Sequence, residues 1–423
     1  MANKKNLNRR QFIAGTAAAS AIAATSQSAT AASYSRIIGA NNRLAYGVIG
    51  CGGIGNEHLD AFNALKEKDN LAPIAVADCW KKRSEEGKAK ISADHSYQDY
   101  RKVLDHKEID MVTIATPEHW HGKMILDALK SGKHVYCEKP MTHTLEEALE
   151  VSKAAKTTDL KIQVGVQAMS DDSYSSARKA IDDGVLGQVV QAQIEYVRRY
   201  NQGPWRVPGL DAKMEQPAGL DWQSWLGHAP KTEWNPNHYF EWRNYSAYSG
   251  GIATDLFIHR ITRIMKACNL AFPTRVVGMG GIWQWDDGRD LPDNFEMICE
   301  YPRGMTVYVL GTMSNRVGVP HLIRGYRATM EFTDSGWVAK DKDGKVLKEH
   351  KKTGGEDIPL HHTNHHNAIR KGEELNCPVQ LGLAGVAAVT MANASWKTGT
   401  MMAWDEANQK AVPADQLASG TRP

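Results

Sequence analysis

The sequence predicts an α/β chain: a doubly wound parallel sheet first, then a second α/β domain with a largely antiparallel sheet. Three observations carry this reading. From Leu44 to about Gly165, short apolar runs alternate with helical patterns, the texture of buried strands joined by crossover helices. The first run, Ala45 to Ile49, leads into Gly50, Gly52 and Gly55 in G-x-G-x-x-G spacing, and then into a helical segment. After Gln167 the runs follow one another without a helix between each pair, as in an antiparallel sheet with one covered face.

The elements follow in order. Asn8-Arg9-Arg10-Gln11-Phe12-Ile13 stands behind Lys4 and Lys5, before an apolar stretch from Phe12 to Ala24 and the small-x-small site Ala29-Thr30-Ala31. Residues 1–31 therefore read as a twin-arginine signal. That reading implies export of the folded protein to the periplasm and the twin-arginine machinery as a partner. A plain basic tail is the alternative. The stretch is too short to span a bilayer, which takes about 20 apolar residues.

In the glycine-rich turn Gly50, Gly52, Gly53, Ile54, Gly55, each glycine of the G-x-G-x-x-G spacing has a physical task. Gly50 permits a tight turn, Gly52 lets backbone approach a pyrophosphate, and Gly55 lets the new helix pack on the strand. Phosphates would lie on the amides of the helix N-terminus. A second run, Pro73 to Ala77, ends in Asp78, 23 residues beyond Gly55, near the distance of a ribose-binding carboxylate. Asp78 would accept from ribose hydroxyls and repel a 2′-phosphate, so the expected cofactor is NAD, with Lys81, Lys82 and Arg83 close by.

Strands are expected at Ala45–Ile49, Ile74–Ala77, Met111–Ala115, His134–Tyr136 and Ile162–Val164, with helices at Lys123–Ser131 and Leu145–Thr157. Thr144 before Glu146 and Glu147 is an N-cap signal. Later strands are expected at Val189–Val197, Arg275–Met279, Phe295–Tyr301, Met305–Gly311 and Ala328–Phe332. Residues 200–248, rich in Trp, Pro, Asn and Gly, read as a long ordered loop, a feature that is often functional. Gly382–Gly399 reads as a closing helix. The resulting organisation is a signal at 1–31, a dinucleotide-binding domain at 44–165, a substrate and oligomerisation domain at 166–378, and a closing helix and tail at 379–423. About 390 residues after the signal are too many for one core.

Composition excludes several classes. The 51 basic and 48 acidic residues are nearly balanced, with no basic stripe, so nucleic acid is not an expected partner. No later segment is apolar enough to span a bilayer, so the protein is not expected to be membrane-embedded. Six cysteines in this length make no disulfide framework.

Three constellations carry candidate chemistry. Lys139, in Cys137-Glu138-Lys139-Pro140, follows a parallel strand, where a side chain faces the ligand crevice of an α/β sheet. It would position a substrate hydroxyl, or else form a surface Lys–Glu pair. Asp255 and His259 are four apart, so on a regular helix they share a face. There a carboxylate would fix the imidazole tautomer and support its cation, as suits a general base, unless the pair is merely solvated. His361, His362, His365 and His366 have i, i+4 spacings, but no acid or cysteine follows at a diagnostic distance, so no metal site is expected. Their plain role is a helix His365–Lys371 capped by Asn364. His119 and His121, just after a central strand, are expected to line the cofactor pocket.

The strings GVIGCGGIG, VADCW, TIATPEHWHG, GKHVYCEKPMTHTLEEA, GGIATDLFIHRI and ANASWKTGTMMAWD resemble the Gfo/Idh/MocA (glucose–fructose oxidoreductase/inositol dehydrogenase) family across nearly the whole mature chain. The resemblance implies a Rossmann domain followed by a C-terminal α/β domain on a large open sheet. It implies Lys139, Asp255 and His259 as the catalytic group. Around the nicotinamide cofactor it implies Gly50, Gly52, Gly55, Asp78, Thr116, Pro117, His119, His121 and Glu138, with Lys139 beside them. His259 would take a proton from a ring hydroxyl that Lys139 and Asp255 orient. The family often has glycine at the position of Phe257, so the pocket is expected to differ there. The resemblance also implies a homo-oligomer paired through the C-terminal sheet. Trp205, Trp222, Trp225, Trp234, Trp242 and Tyr248 suit either stacking on sugar faces or packing between domains.

These readings give a sugar or glycoside as substrate and hydride exchange between a ring hydroxyl, commonly at C3, and a tightly bound NAD. The alternative is a redox-neutral NAD-dependent glycosidase, working by oxidation, elimination, hydration and re-reduction. A cofactor-bound protein without catalysis is a third class, which the Lys139, Asp255 and His259 set argues against.

Overall fold

The computed structural model describes residues 42–417; the signal expected at 1–31 lies outside the described residues. β1 (Leu44–Ile49), β2 (Leu71–Ala77), β3 (His95–Tyr97), β4 (Met111–Ile114), β5 (His134–Glu138) and β6 (Ile162–Gly165) form one sheet in the order β3-β2-β1-β4-β5-β6. Pairings along it are parallel. Its helices are α1 (Gly53–Leu65), α2 (Lys81–Ile91), the single turn α3 (Arg101–Leu104), α4 (His121–Lys130) and α5 (Leu145–Ala155). The central strands are apolar and buried along their length, as strands covered on both faces must be. β3 was not expected: three residues, partly exposed at the sheet edge, leave no periodicity to read.

α5 begins as Thr144 predicts. The Thr144 hydroxyl accepts from the Glu147 amide at 3.2 Å, and the Glu147 carboxylate accepts from the Thr144 amide at 3.1 Å. This reciprocal pair closes a capping box worth about 1 kcal/mol.

The second sheet is built from β7 (Val189–Val197), β8 (Arg275–Gly281), β9 (Asn294–Tyr301), β10 (Met305–Thr312), β11 (Leu322–Gly325), β12 (Ala328–Thr333), β13 (Gly336–Asp341), β14 (Val346–Lys351), β15 (Met402–Asp405) and β16 (Lys410–Pro413). The order is β14-β13-β12-β11-β7-β10-β9-β8-β15-β16. The β7–β10 pair is parallel and its neighbours are antiparallel. β10 alternates buried and half-buried side chains, the signature of one covered face. The cover comes from α6 (Asp172–Asp182), α9 (Ile258–Cys268) and α11 (Val379–Thr398); α7 (Trp222–Leu226) and α8 (Pro236–Phe240) lie in the aromatic segment, and α10 (Ile358–Lys371) precedes α11.

Three expectations need correction. The two sheets share one continuous core cluster, because α11 and the segment before α9 pack into both layers. α10 starts at Ile358, not His365. Asp357 is its cap, accepting from the Leu360 amide at 2.6 Å, with proline in the first turn, an arrangement that starts helices well. Asn364 instead sits inside, accepting from Gln163 Nε2 at 2.8 Å. The C-terminal tail is also more than a cap on the fold, since β15 and β16 lengthen the second sheet. All six cysteines are free. No helix among the described residues is long and apolar enough to cross a membrane.

Candidate active site

The glycine turn lies at the carboxyl end of β1, beside β4, where the strand order reverses and open α/β sheets take their ligands. Gly50 has φ +92°, a region L side chains rarely adopt. A Cβ on Gly55 would come within 2.1 Å of the Gly50 carbonyl oxygen, so Gly55 serves the helix–strand approach and stands behind the turn. Gly52 caps α1 without a side-chain acceptor, which leaves the first amides of α1 free for an anion.

A cavity of about 620 Å³ opens here, lined by Gly50, Gly52, Gly53, Ile54, Asp78, Thr116 and Pro117 among others. Asp78 accepts from the Cys51 amide at 2.9 Å and the Trp80 amide at 2.8 Å. Oδ1 also accepts from the Cys79 thiol at 3.8 Å, and Oδ2 keeps a lone pair for a ribose hydroxyl. Burial raises the Asp78 carboxyl above its ordinary value, against the opposing pull of the amide of Trp80 and of Arg83. Free amides at a helix start, a carboxylate at the next strand end and a cavity of this size fit a dinucleotide.

The opposite wall comes from the aromatic segment, through Trp225, Tyr239, Phe240, Trp242 and Arg243. This segment is pinned to the first domain. Gly219 O accepts from the Lys81 amide at 2.9 Å, and Cys79 O accepts from the Asp221 amide at 2.9 Å. Trp225 O accepts from Trp120 Nε1 at 2.8 Å. Arg83 donates to the Tyr239 hydroxyl at 3.0 Å and lies over the Trp80 ring. Trp222, Trp225 and Tyr248 are buried in a cluster of their own, with Trp222 stacked on Trp225 at 4.8 Å. Trp222 and Tyr248 are spent on packing, while Trp225 packs in the same cluster and also edges the cavity.

Asp255 lies in a π-helical turn, Ile252–Phe257, immediately before α9. Lys139 Nζ, just past the end of β5, donates to the Asp255 carboxylate and to its carbonyl, both at 2.8 Å. Arg243 Nε donates to the same carboxylate oxygen at 2.8 Å. Burial alone would raise the Asp255 carboxyl; Arg243 and Lys139 outweigh it and hold it far below the usual carboxylate range. Arg243 faces the cavity, so this ion triad joins the substrate side to the cofactor side.

The expected Asp255–His259 pairing is not formed. The wider π turn rotates Asp255 away from the i+4 face of α9, and toward the two cations. His259 Nδ1 instead points at Glu356, 3.5 Å away. Burial, with Lys139 next in weight, holds its imidazole well below its ordinary value. That shift favours the neutral imidazole, which has a ring lone pair to accept with.

Three expected cavity residues stand behind its wall. His119 is buried and donates from Nε2 to Trp225 O at 3.0 Å. His121 sits between Pro140 O at 2.7 Å and Thr116 O at 2.8 Å, fixing the residue after Lys139 relative to the cavity edge. The Glu138 side chain turns from the Lys139 ammonium, accepting from His58 Nε2 at 3.0 Å, Gln167 Nε2 at 2.6 Å and the Lys139 amide at 3.2 Å. Successive strand residues face opposite ways, and Glu138 is the last residue of β5. Phe257 is buried between Phe295 and Gly311, beneath the site rather than in the cavity.

Two residues escaped the sequence reading. Arg243 had no motif around it; a lone cation between aromatics just ahead of Gly250-Gly251 was the available signal. Glu118 is buried and accepts from the Ser249 hydroxyl at 2.6 Å, the Thr254 hydroxyl at 2.8 Å and the Gly250 amide at 3.1 Å. It ties the end of β4 to the π turn. Burial, and then the Asp255 charge, push its carboxyl up to about 7.

Residues 44–166 match the model of the oxidoreductase family, NAD-binding Rossmann fold (Gfo/Idh/MocA). The chain is 34% identical over 143 residues to scyllo-inositol 2-dehydrogenase (NAD(+)) of Bacillus subtilis, covering 34% of this chain and 41% of that protein. To levoglucosan dehydrogenase of Pseudarthrobacter phenanthrenivorans it is 28% identical over 166 residues, covering 38% and 43%. The matched segment thus spans about two fifths of these relatives' length. Over the fold, the levoglucosan dehydrogenase structure in complex with NADH and L-sorbose superposes with a TM-score of 0.67 at 17% identity, covering 85% of this chain and 98% of that one. Residues 44–166 accordingly form a Rossmann domain that matches the NAD-binding model of the Gfo/Idh/MocA oxidoreductase family.

Proposed function

We propose that the protein is an NAD-dependent oxidoreductase that moves hydride between a ring hydroxyl of a sugar or glycoside, at C3, and a nicotinamide it keeps bound. The observation that carries this reading is the Lys139–Asp255–Arg243 triad, set between a dinucleotide cavity and a neutral buried imidazole. When bound, NAD supplies the hydride acceptor and the protein supplies geometry and charge. Lys139, held by Asp255, directs its remaining proton at the substrate hydroxyl and stabilises negative charge as it develops on that oxygen. His259 takes the hydroxyl proton on its free ring nitrogen, its other nitrogen facing Glu356. Arg243 keeps Asp255 ionised, so Lys139 does not lose its partner as the proton moves.

The pinned aromatic segment favours a retained cofactor, because release would require opening the contacts at Gly219, Asp221 and Trp225. A retained cofactor suits the periplasm, the compartment that the twin-arginine pattern implies and one with little free dinucleotide to exchange. It also favours a second outcome, return of the hydride to the same sugar after loss of the aglycone, a net hydrolysis.

The test is purified protein, without added cofactor, on α- and β-glycosides in heavy-oxygen water. A keto-glycoside two hydrogens lighter supports net oxidation, and labelled free sugar with turnover supports net hydrolysis. Activity that survives Lys139→Ala unchanged would sink both.

A further inference from the structure

Positive charge accumulates beside His259 beyond what hydride transfer uses. Lys139 and Arg243 are answered by Asp255, and Arg263 donates to the half-exposed Glu356 at 2.8 Å. Two guanidiniums are left. Arg260, next to His259 in sequence, stacks its Cζ 4.5 Å from the Tyr196 ring centroid. Arg198 lies 4.8 Å from the same ring and donates to the Tyr196 and Tyr200 hydroxyls. The Tyr196 ring is 6.4 Å from the His259 ring.

Among the described residues, no carboxylate lies in ion-pair range of Arg198 or Arg260. The nearby Glu195 accepts the Val197 amide at 2.6 Å. Arg260 Nε is buried with no acceptor. An unanswered buried donor on a charged group costs free energy that an arriving anion recovers. Burial, and then Arg263, lower Arg260 from its ordinary value, against the opposing pull of Tyr196, Glu356 and Glu195.

We propose that Arg198 and Arg260 form an anion subsite beside His259, and that the sugar substrate carries an oxyanion, a carboxylate or a sulfate ester. The planar guanidinium fork matches the paired oxygens of either group, and stacking on Tyr196 holds both forks before the ligand arrives. This inference rests on the reading of the substrate as a sugar or glycoside.

The experiment is a calorimetric titration of the NAD-loaded protein with matched gluco and galacto sets: a methyl glycoside, its uronate and its 6-sulfate. At least one anion binds about 10- to 100-fold more tightly than its neutral parent, and uronate against sulfate identifies the source of the oxyanion. Arg260→Met brings that ratio close to one and Arg260→Lys restores part of it. Arg198→Met does the same at an exposed position, where misfolding is no explanation. Neutral parents that bind as tightly as both anions, or a preference that survives both Met variants, would overturn the subsite. Absorbance of the reduced nicotinamide separates the two ideas. Hydride transfer without anion preference defeats the subsite alone, whereas anion preference without hydride transfer on any sugar defeats the oxidoreductase reading.

Discussion

The peptide between Glu138 and Lys139 divides two buried charge clusters of opposite character. On the Glu138 side, the carboxylate accepts from His58, Gln167 and the Lys139 amide. His58 Nδ1 then meets His362 Nε2 at 2.8 Å, and at the far end His366 Nδ1 donates to Asp69 at 2.7 Å. These groups join α1 to α10 and none lines the cavity. On the Lys139 side, one buried carboxylate faces Lys139 and Arg243, and unpaired guanidiniums stand close by. Charge that is answered within the protein holds elements together; charge left with open edges recognises something else.

The largest test of that contrast is Lys139→Met. It should lower kcat/KM on the best glycoside by about 10²- to 10⁴-fold, measured by stopped-flow reduction of the bound nicotinamide. A loss below tenfold would break the crevice half of the comparison. Glu138→Ala should do the converse, costing about 3–5 kcal/mol in urea unfolding, because it strands the groups that faced a buried charge. Normal stability with lost activity would place Glu138 in the chemistry after all.

Acidification probes the histidine side. In the unfolded chain an imidazole protonates below about pH 6.5. In the native state burial holds His361 at about 4 and His119 at about 3, and keeps His362 and His365 well below their ordinary value. The unfolded state therefore binds more protons as pH falls below 6.5. Stability drops by about 1.4 kcal/mol per pH unit for each such imidazole, until its native value is reached. Glu118 runs the other way. Its native carboxyl holds a proton up to about 7, so its contribution is fully present below the unfolded value and is lost as pH rises through 7. Urea midpoints should fall steeply below pH 6, and Glu118→Gln should steepen that acid limb, because native Glu118 takes up a proton more readily than the unfolded chain between about pH 7 and 4.5. A flat profile from pH 7 to 5 would mean the imidazoles are already charged. Smallest is Glu356→Gln: its carboxylate is 49% exposed, so the change should cost less than about 1 kcal/mol.

The fold was legible where one rule decided each residue. Gly50 and Gly55 occupy positions that turn and packing geometry reserve for glycine, and Thr144 with Glu147 spelled out a helix start. Edge strands such as Val346–Lys351 were not legible, because exposed, charged residues carry no burial pattern. At the site, sequence neighbours misled. Glu138 and Lys139 share a motif yet serve opposite faces, and Asp255 and His259 share a spacing that the π turn breaks. Arg243 and Glu118 find partners 12 and 131 or more residues away, and tertiary pairing at such distance leaves no local trace.

The most direct measurement supplies the purified protein, with no added cofactor, with glycosides deuterated at every ring carbon, and analyses the extracted nicotinamide by mass spectrometry. Hydride chemistry at the Lys139–Asp255–Arg243 site predicts deuterium at C4 of a nicotinamide that copurifies with the protein. Keto-glycoside formed while that nicotinamide stays free of deuterium would contradict the account.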